Sequence, residues 1–192
     1  CWDSASYIVI YQDKNLGDAL LITPVIDQLL RFDSKLVITV VCDVLAVDIF
    51  TGLSTSVSVI PAPRSFWQAI SVGLLLRRRG PDVFLDLHGG KYGMIISAVM
   101  GAKSSCSKRN AKFGKWFYTH RLPEILNPTS LRSTVEGNLD ILRRLGFEVK
   151  GKPHLLASSL LAMNSDKLVG AISAPTEEPI VVCRADGDQD RP

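Results

Sequence analysis

A carboxylate at the point where an apolar strand gives way to a helix is the first chemistry this sequence offers. In SYIVIYQDKNLGDALLITP, residues 6–24, Asp18 follows Gly17 just after the apolar run and opens a helical pattern. Gly17 has no Cβ, so the backbone can turn tightly there and a ligand can come close. Asp18 then has two readings. It caps the helix, where unpaired N–H groups and the positive end of the dipole favour a negative charge by ~0.3–1 kcal/mol. Or it is a general base that accepts the proton of a substrate hydroxyl as that hydroxyl attacks an electrophile.

A second constellation lies in DVFLDLHGGKYG, residues 82–93. Asp86 and His88, two apart at a strand end, can point to one side and share a metal. Two ligands are too few, so no metal site is expected, and His88 reads as a polar contact at a cleft edge. HGGKYG is rich in glycine but matches neither GxGxxG nor GxxxxGK[ST], which argues against classical nucleotide binding by this domain. Asp186, Asp188 and Asp190 form DxDxD without the later ligands of a calcium loop, and read as a solvated acidic tail.

These residues need a scaffold that switches repeatedly between short apolar runs and helical spacing, the pattern of a mostly parallel α/β sheet. Strands are predicted at 7–11, 36–42, 56–60, 83–87 and 102–106. Helices are predicted at 17–32, 43–50, 65–79, 91–100 and 132–145, the last ended by Gly146. Beyond these, 151–154 reads as a linker, 155–170 as an amphipathic helix and 179–183 as a strand. Open sheets of this kind bind ligands beyond the carboxyl ends of their strands, where strand order reverses. The loops after the first and fourth strands, QDKNLGD and HGGKYG, are therefore the ones to watch.

Composition sets the limits. The 192 residues suit one full domain and a remainder, and 46% hydrophobic with 21% charged residues is ordinary for a globular chain. The net charge is only +3, but residues 87–123 contain no acid and carry Lys91, Lys103, Lys108, Arg109, Lys112, Lys115 and Arg121. Such a run is a solvated face or a surface for phosphates, anionic lipid or nucleic acid. Trp116, Phe117 and Tyr118 within it fit base stacking, an apolar anchor or a lipid-linked acceptor equally well. Cys1, Cys42, Cys106 and Cys183 are widely spaced without CxxC, which fits reduced thiols in a cytoplasm. The longest apolar run, AISVGLLL at 69–76, is far short of a membrane span. A start at Cys1 reads as a fragment boundary.

Four segments resemble one family in the same order. NLGDALLITP, DVFLDLHGG, FYTHRLP at 117–123 and TVEGNLDILRRLG at 134–146 are similar to segments of the N-terminal half of glycosyltransferase family 9, the lipopolysaccharide heptosyltransferases. The resemblance implies a GT-B architecture of two Rossmann-like domains. It implies metal-independent, inverting transfer of heptose from ADP-heptose to the lipopolysaccharide core, an anionic glycolipid, with no cofactor. Asp18 would be the catalytic base. Gly17, Lys14, His88, Gly89, Arg109, Lys112, His120 and Arg121 would hold the acceptor. Six residues before Asp18, where many members carry Arg or Lys, this chain has Gln12, with Lys14 as a nearby stand-in. Ser133 stands where a His often precedes the TVE segment.

The expected organisation is an acceptor-binding domain over 1–150, a linker with a helix over 151–178, and the truncated start of a donor-binding domain over 179–192, so ADP-heptose would be bound by a domain absent here. The expected location is cytoplasmic, peripheral on the cytoplasmic face of the inner membrane, with no nucleic-acid partner. The alternatives are a non-catalytic module that binds anionic glycolipid or a membrane surface through 91–121, and a metal-dependent hydrolase using Asp86 and His88.

Overall fold

A computed structural model describes residues 5–14, 16–51, 53–107, 116–120 and 134–149. The linker helix, the strand at 179–183 and the two later domain boundaries lie outside these residues.

The five expected strands form, each within about two residues of its predicted ends: β1 Tyr7–Gln12, β2 Val37–Cys42, β3 Val57–Pro61, β4 Val83–Asp86 and β5 Ser104–Ser107. They build one parallel sheet in the order β3-β2-β1-β4-β5. Parallel strands are covered on both faces, which is why β1 is apolar at consecutive positions and buried along its whole length. Its side chains alternate between two cores. Tyr7, Val9 and Tyr11 meet Ala69 and Leu76 of α4 (Phe66–Arg79) and Ile96 and Met100 of α5 (Lys91–Met100). Ile8 and Ile10 meet Val25, Ile26 and Leu29 of α2 (Thr23–Phe32) and Leu139 and Leu142 of α6 (Thr134–Arg144). Each such fully buried aliphatic side chain contributes roughly 1.5–3 kcal/mol.

Two helical expectations are corrected. The helix expected over 17–32 is broken into α1 (Leu16–Leu20) and α2, because Pro24 has no N–H and sits at the first turn of a new helix. The break is satisfied from outside: Thr23 Oγ1 donates to the Leu20 carbonyl at 2.8 Å, and Asn138 Nδ2 of α6 donates to the Leu21 carbonyl at 3.0 Å. The helix expected over 43–50 is a 3-10 turn, Val44–Ala46, followed by the single turn α3 (Val47–Phe50). Asp43 starts it by accepting from the Leu45 N–H.

At the amino ends of the strands Asp82 joins three of them. It accepts from Ser6 and Tyr7 backbone N–H groups at 2.9 and 3.1 Å and from Lys103 Nζ at 2.6 Å. The Lys103 ammonium holds this carboxyl well below the usual carboxylate range. At the other end nothing ties the strands so simply. β1 leads to β2 on one side, while the chain returns from β3 to β4 on the other, so a crevice opens between the carboxyl ends of β1 and β4.

Candidate functional site

Tyr11 and Asp86 are the last residues in register across this crevice, and the Leu87 N–H still reaches the Tyr11 carbonyl at 3.0 Å. Beyond them the two loops separate. Asp13, one step past β1 on the same face as Tyr11, bridges them. Its Oδ1 lies 3.1 Å from His88 Nε2, a close polar contact and not an aligned hydrogen bond, and its Oδ2 accepts from the Tyr11 hydroxyl. The Tyr11 ring meets the imidazole edge-on, with centroids 6.3 Å apart. Burial, then the bond to Asp13, pushes the Tyr11 hydroxyl far up, so it acts only as a donor.

The His88 turn is shaped from below by Asp86, which is fully buried. Asp86 Oδ1 accepts from the backbone N–H of His88 at 3.0 Å and of Gly89 at 2.6 Å, and Oδ2 accepts from the Tyr118 hydroxyl. Burial pushes this carboxyl up to about 6, against the opposing pull of those three donors. Glycine is required around it. Gly89 has φ +72, and a Cβ on Gly90 would lie 2.4 Å from His88 Cδ2. A Cβ on Gly93 would lie 2.2 Å from Asp86 Oδ2. Asp86 and His88 thus have separate partners. Among the described residues no group of three or more His, Cys, Asp and Glu could hold a metal ion.

Asp18 is the third residue of α1 and half-buried, with its ion pair to Lys14 Nζ at 3.8 Å. Asp18 lies inside the first turn and not at the N-cap, so its charge still meets the positive end of the helix as the structural reading expects. The reading of Gly17 is corrected. It lies within α1 without a positive φ and is exposed, and a Cβ there would meet nothing within 4 Å. No turn demands a glycine at that position; what it leaves is open space beside Asp18. Gln12 is buried at the end of β1 beside Cys42 of β2, and its Oε1 has no hydrogen-bond partner among the described residues. A buried acceptor without a partner costs ~1–3 kcal/mol, which a ligand donor would recover.

Of the expected acceptor contacts, Lys14, Gly17, His88 and Gly89 belong to the two loops that Asp13 joins. His120 is exposed on the outer edge of the sheet, where its N–H bonds the Ser105 carbonyl at 2.9 Å and its Nδ1 meets Thr119 Oγ1 at 2.9 Å. Arg109, Lys112 and Arg121 lie outside the described residues. Asp13 was not singled out from the sequence, although alternation past β1 puts it on Tyr11's face, and Tyr118 was singled out only as an aromatic within the basic run and the FYTHRLP segment, since its bond to Asp86 joins residues remote in the chain.

Solved structures share this arrangement of strands and helices. A family 9 glycosyltransferase from Veillonella parvula superposes with a TM-score of 0.62 at 18% identity, over 78% of this chain and 44% of that one. The E. coli heptosyltransferase WaaC, solved with ADP, gives 0.64 at 15%, over 82% and 53%. E. coli ADP-heptose lps heptosyltransferase II gives 0.64 at 14%, over 90% and 52%. The fold is the one they share. The chain spans about half the length of these structures, as one Rossmann-like half of a GT-B architecture does. No protein-family model and no curated protein matches the sequence.

Proposed function

We propose that this chain is the acceptor-binding half of a heptosyltransferase-like glycosyltransferase. The observation that carries the reading is the Asp13–His88 contact, which ties the loop after β1 to the HGG turn, while Asp18, five residues further along the chain, is partly exposed. An acceptor hydroxyl there gives its proton to Asp18 as its oxygen bonds the anomeric carbon of an ADP-heptose. The bond from that carbon to the diphosphate breaks on the opposite face, and ADP leaves with the electron pair. The configuration inverts, and no metal or cofactor takes part. Similar structures solved with ADP and with ADP-2-deoxy-2-fluoro heptose support the choice of donor.

Lys14, His88 and Gly89 hold the anionic core of lipopolysaccharide at the crevice, and Arg109, Lys112, His120 and Arg121 extend the contact. The donor is held by a domain beyond this chain, and the enzyme works in the cytoplasm at the inner membrane. The test is transfer from ADP-heptose to a lipopolysaccharide core by this chain joined to the donor-binding half of such a heptosyltransferase, alongside calorimetric binding of the core to the chain itself. Asp18→Ala should leave core binding within about threefold and lower transfer by roughly 10²–10⁴, the usual worth of a general base. Full transfer by that variant rejects the catalytic assignment.

A further inference from the structure

The face of α4 turned away from the sheet has no described element over it. Ala69, Gly73 and Leu76 form its buried side. On the opposite side Trp67, Ser71, Leu74 and Arg78 recur at i, i+4, i+7 and i+11, a single line along the helix, and all four are exposed. Trp67 is 74% exposed and Phe66 beside it 53%, with Leu74 and Leu75 at 48% and 42%. The loop after β2 adds Leu45, 77% exposed. A groove of about 460 Å³ between Val44, Pro61, Pro63 and Val72 joins that loop to the first turn of α4.

Charge along α4 has one sign, and the acids nearest the Val44–Leu45 loop are Asp43 and Asp48. Residues 49–81 contain no acid. Arg77, Arg78 and Arg79 end the helix exposed and without an ion pair to any described residue, and Arg64 at its start reaches Asp43 only at 3.8 Å. Favourable charge at a helix C-terminus accounts for arginines there. It does not account for a tryptophan and a phenylalanine standing in water at the other end. A contiguous exposed apolar patch of this kind marks an interaction surface. A helix with aromatic and leucine side chains outward, flanked by arginines and lacking acids, has the composition of one that lies in the plane of an anionic bilayer.

We propose that the outer face of α4, with Val44 and Leu45, docks on a membrane whose surface carries anionic lipid. Trp67, Phe66, Leu74 and Leu75 enter the boundary between headgroups and acyl chains, and Arg77, Arg78 and Arg79 pair with lipid phosphates. This gives the expected membrane contact a surface other than the basic stretch 91–121, and it rests on the membrane part of the functional reading alone, not on Asp18 chemistry.

Sedimentation of the full chain with vesicles tests it, using phosphatidylcholine alone or with one third phosphatidylglycerol. Binding should be at least tenfold stronger to the anionic vesicles and should weaken with salt. In a Trp2→Phe/Trp116→Phe background, Trp67 emission should shift to the blue on binding. Replacing Arg77, Arg78 and Arg79 by Gln should lower the partition coefficient by roughly 100-fold, about fivefold for each charge near such a surface. Trp67→Ser should lower it about tenfold while circular dichroism stays unchanged. The proposal falls if the unaltered chain ignores both vesicles. It falls equally if both variants sediment as the unaltered chain does, which would move the contact to another surface. Neither result touches the transfer assay with Asp18→Ala.

Discussion

Replacing Asp86 by Asn should remove a pH dependence from the stability of this protein, with a size set by where the carboxyl sits. Asp86 is fully buried and is pushed up to about 6 from an ordinary 3.8. Below about pH 3.8 it is protonated in both folded and unfolded chains and contributes no slope. Between about 3.8 and 6 the folded chain keeps a proton that the unfolded chain has lost, so stability falls as pH rises, by up to ~1.4 kcal/mol per pH unit. Above about 6 both states are ionised and the full penalty stays, about two units or ~3 kcal/mol. Asn carries no such term. It can still accept from the His88 and Gly89 N–H groups, but its amide nitrogen faces the Tyr118 hydroxyl, a loss of about 1–2 kcal/mol at any pH.

The two stability curves should therefore cross. Near pH 4 the Asn variant should be the weaker by about 1–2 kcal/mol, and near pH 7.5 it should equal or exceed the parent. Urea unfolding followed by circular dichroism, at about pH 4, 5, 6 and 7.5, reads the difference directly. Asp82, held low by Lys103, loses its stabilisation as pH falls through the acid range, but it is common to both proteins and cancels. A difference that stays constant within about 0.5 kcal/mol from pH 4 to 7.5 would refute the burial of Asp86 under the His88 turn.

Further substitutions probe the same scaffold. Gly93→Ala should destabilise by about 1–3 kcal/mol in thermal unfolding, since its Cβ would meet Asp86 Oδ2 at 2.2 Å, and the cost should largely vanish in an Asp86→Ala background. Asn138→Ala should cost about 1 kcal/mol in urea unfolding, the worth of its bond to the Leu21 carbonyl at the break between α1 and α2. Asp13→Asn, which weakens the hold on His88, should raise the dissociation constant for lipopolysaccharide core severalfold in calorimetry, whereas Asp18→Asn should leave binding nearly unchanged and reduce turnover.

The sheet was legible because parallel strands must be apolar on both faces, so 7–11, 36–42 and 83–87 stand out as mostly apolar runs, broken only by Thr39 and Asp86. The crevice was legible for the same reason, once strand order placed β1 beside β4. The α1/α2 break was harder to see. Pro24 is compatible with the first turn of a helix, so the sequence does not say whether one helix passes through it or a second begins. Where it does begin a new helix, the Leu21 carbonyl at the break is taken up by Asn138, far along the chain. Asp13 is a similar case: its role exists only once His88 is folded against it.

Asp13 and Asp86 lie at the crevice and Asp18 on the helix that follows the first loop, and their partners divide the labour between them. Asp86 is buried and satisfied by two backbone N–H groups and a tyrosine; its position fixes the turn that carries His88. Asp13 is held between Tyr11 and His88 and fixes that turn to the loop after β1. To receive a proton from an outside hydroxyl, either would have to abandon contacts that hold the two loops together. Among the described residues Asp18 has one ion pair, at 3.8 Å with a half-exposed lysine, and an exposed glycine beside it, so an incoming hydroxyl can reach it without disturbing the frame. Rigid support from two of the carboxylates and access at the third is the division that general-base catalysis requires. It follows that Asp18→Asn should leave the pH-dependent stability set by Asp86 intact, while Asp86→Asn should alter that stability whatever the chain does to a sugar.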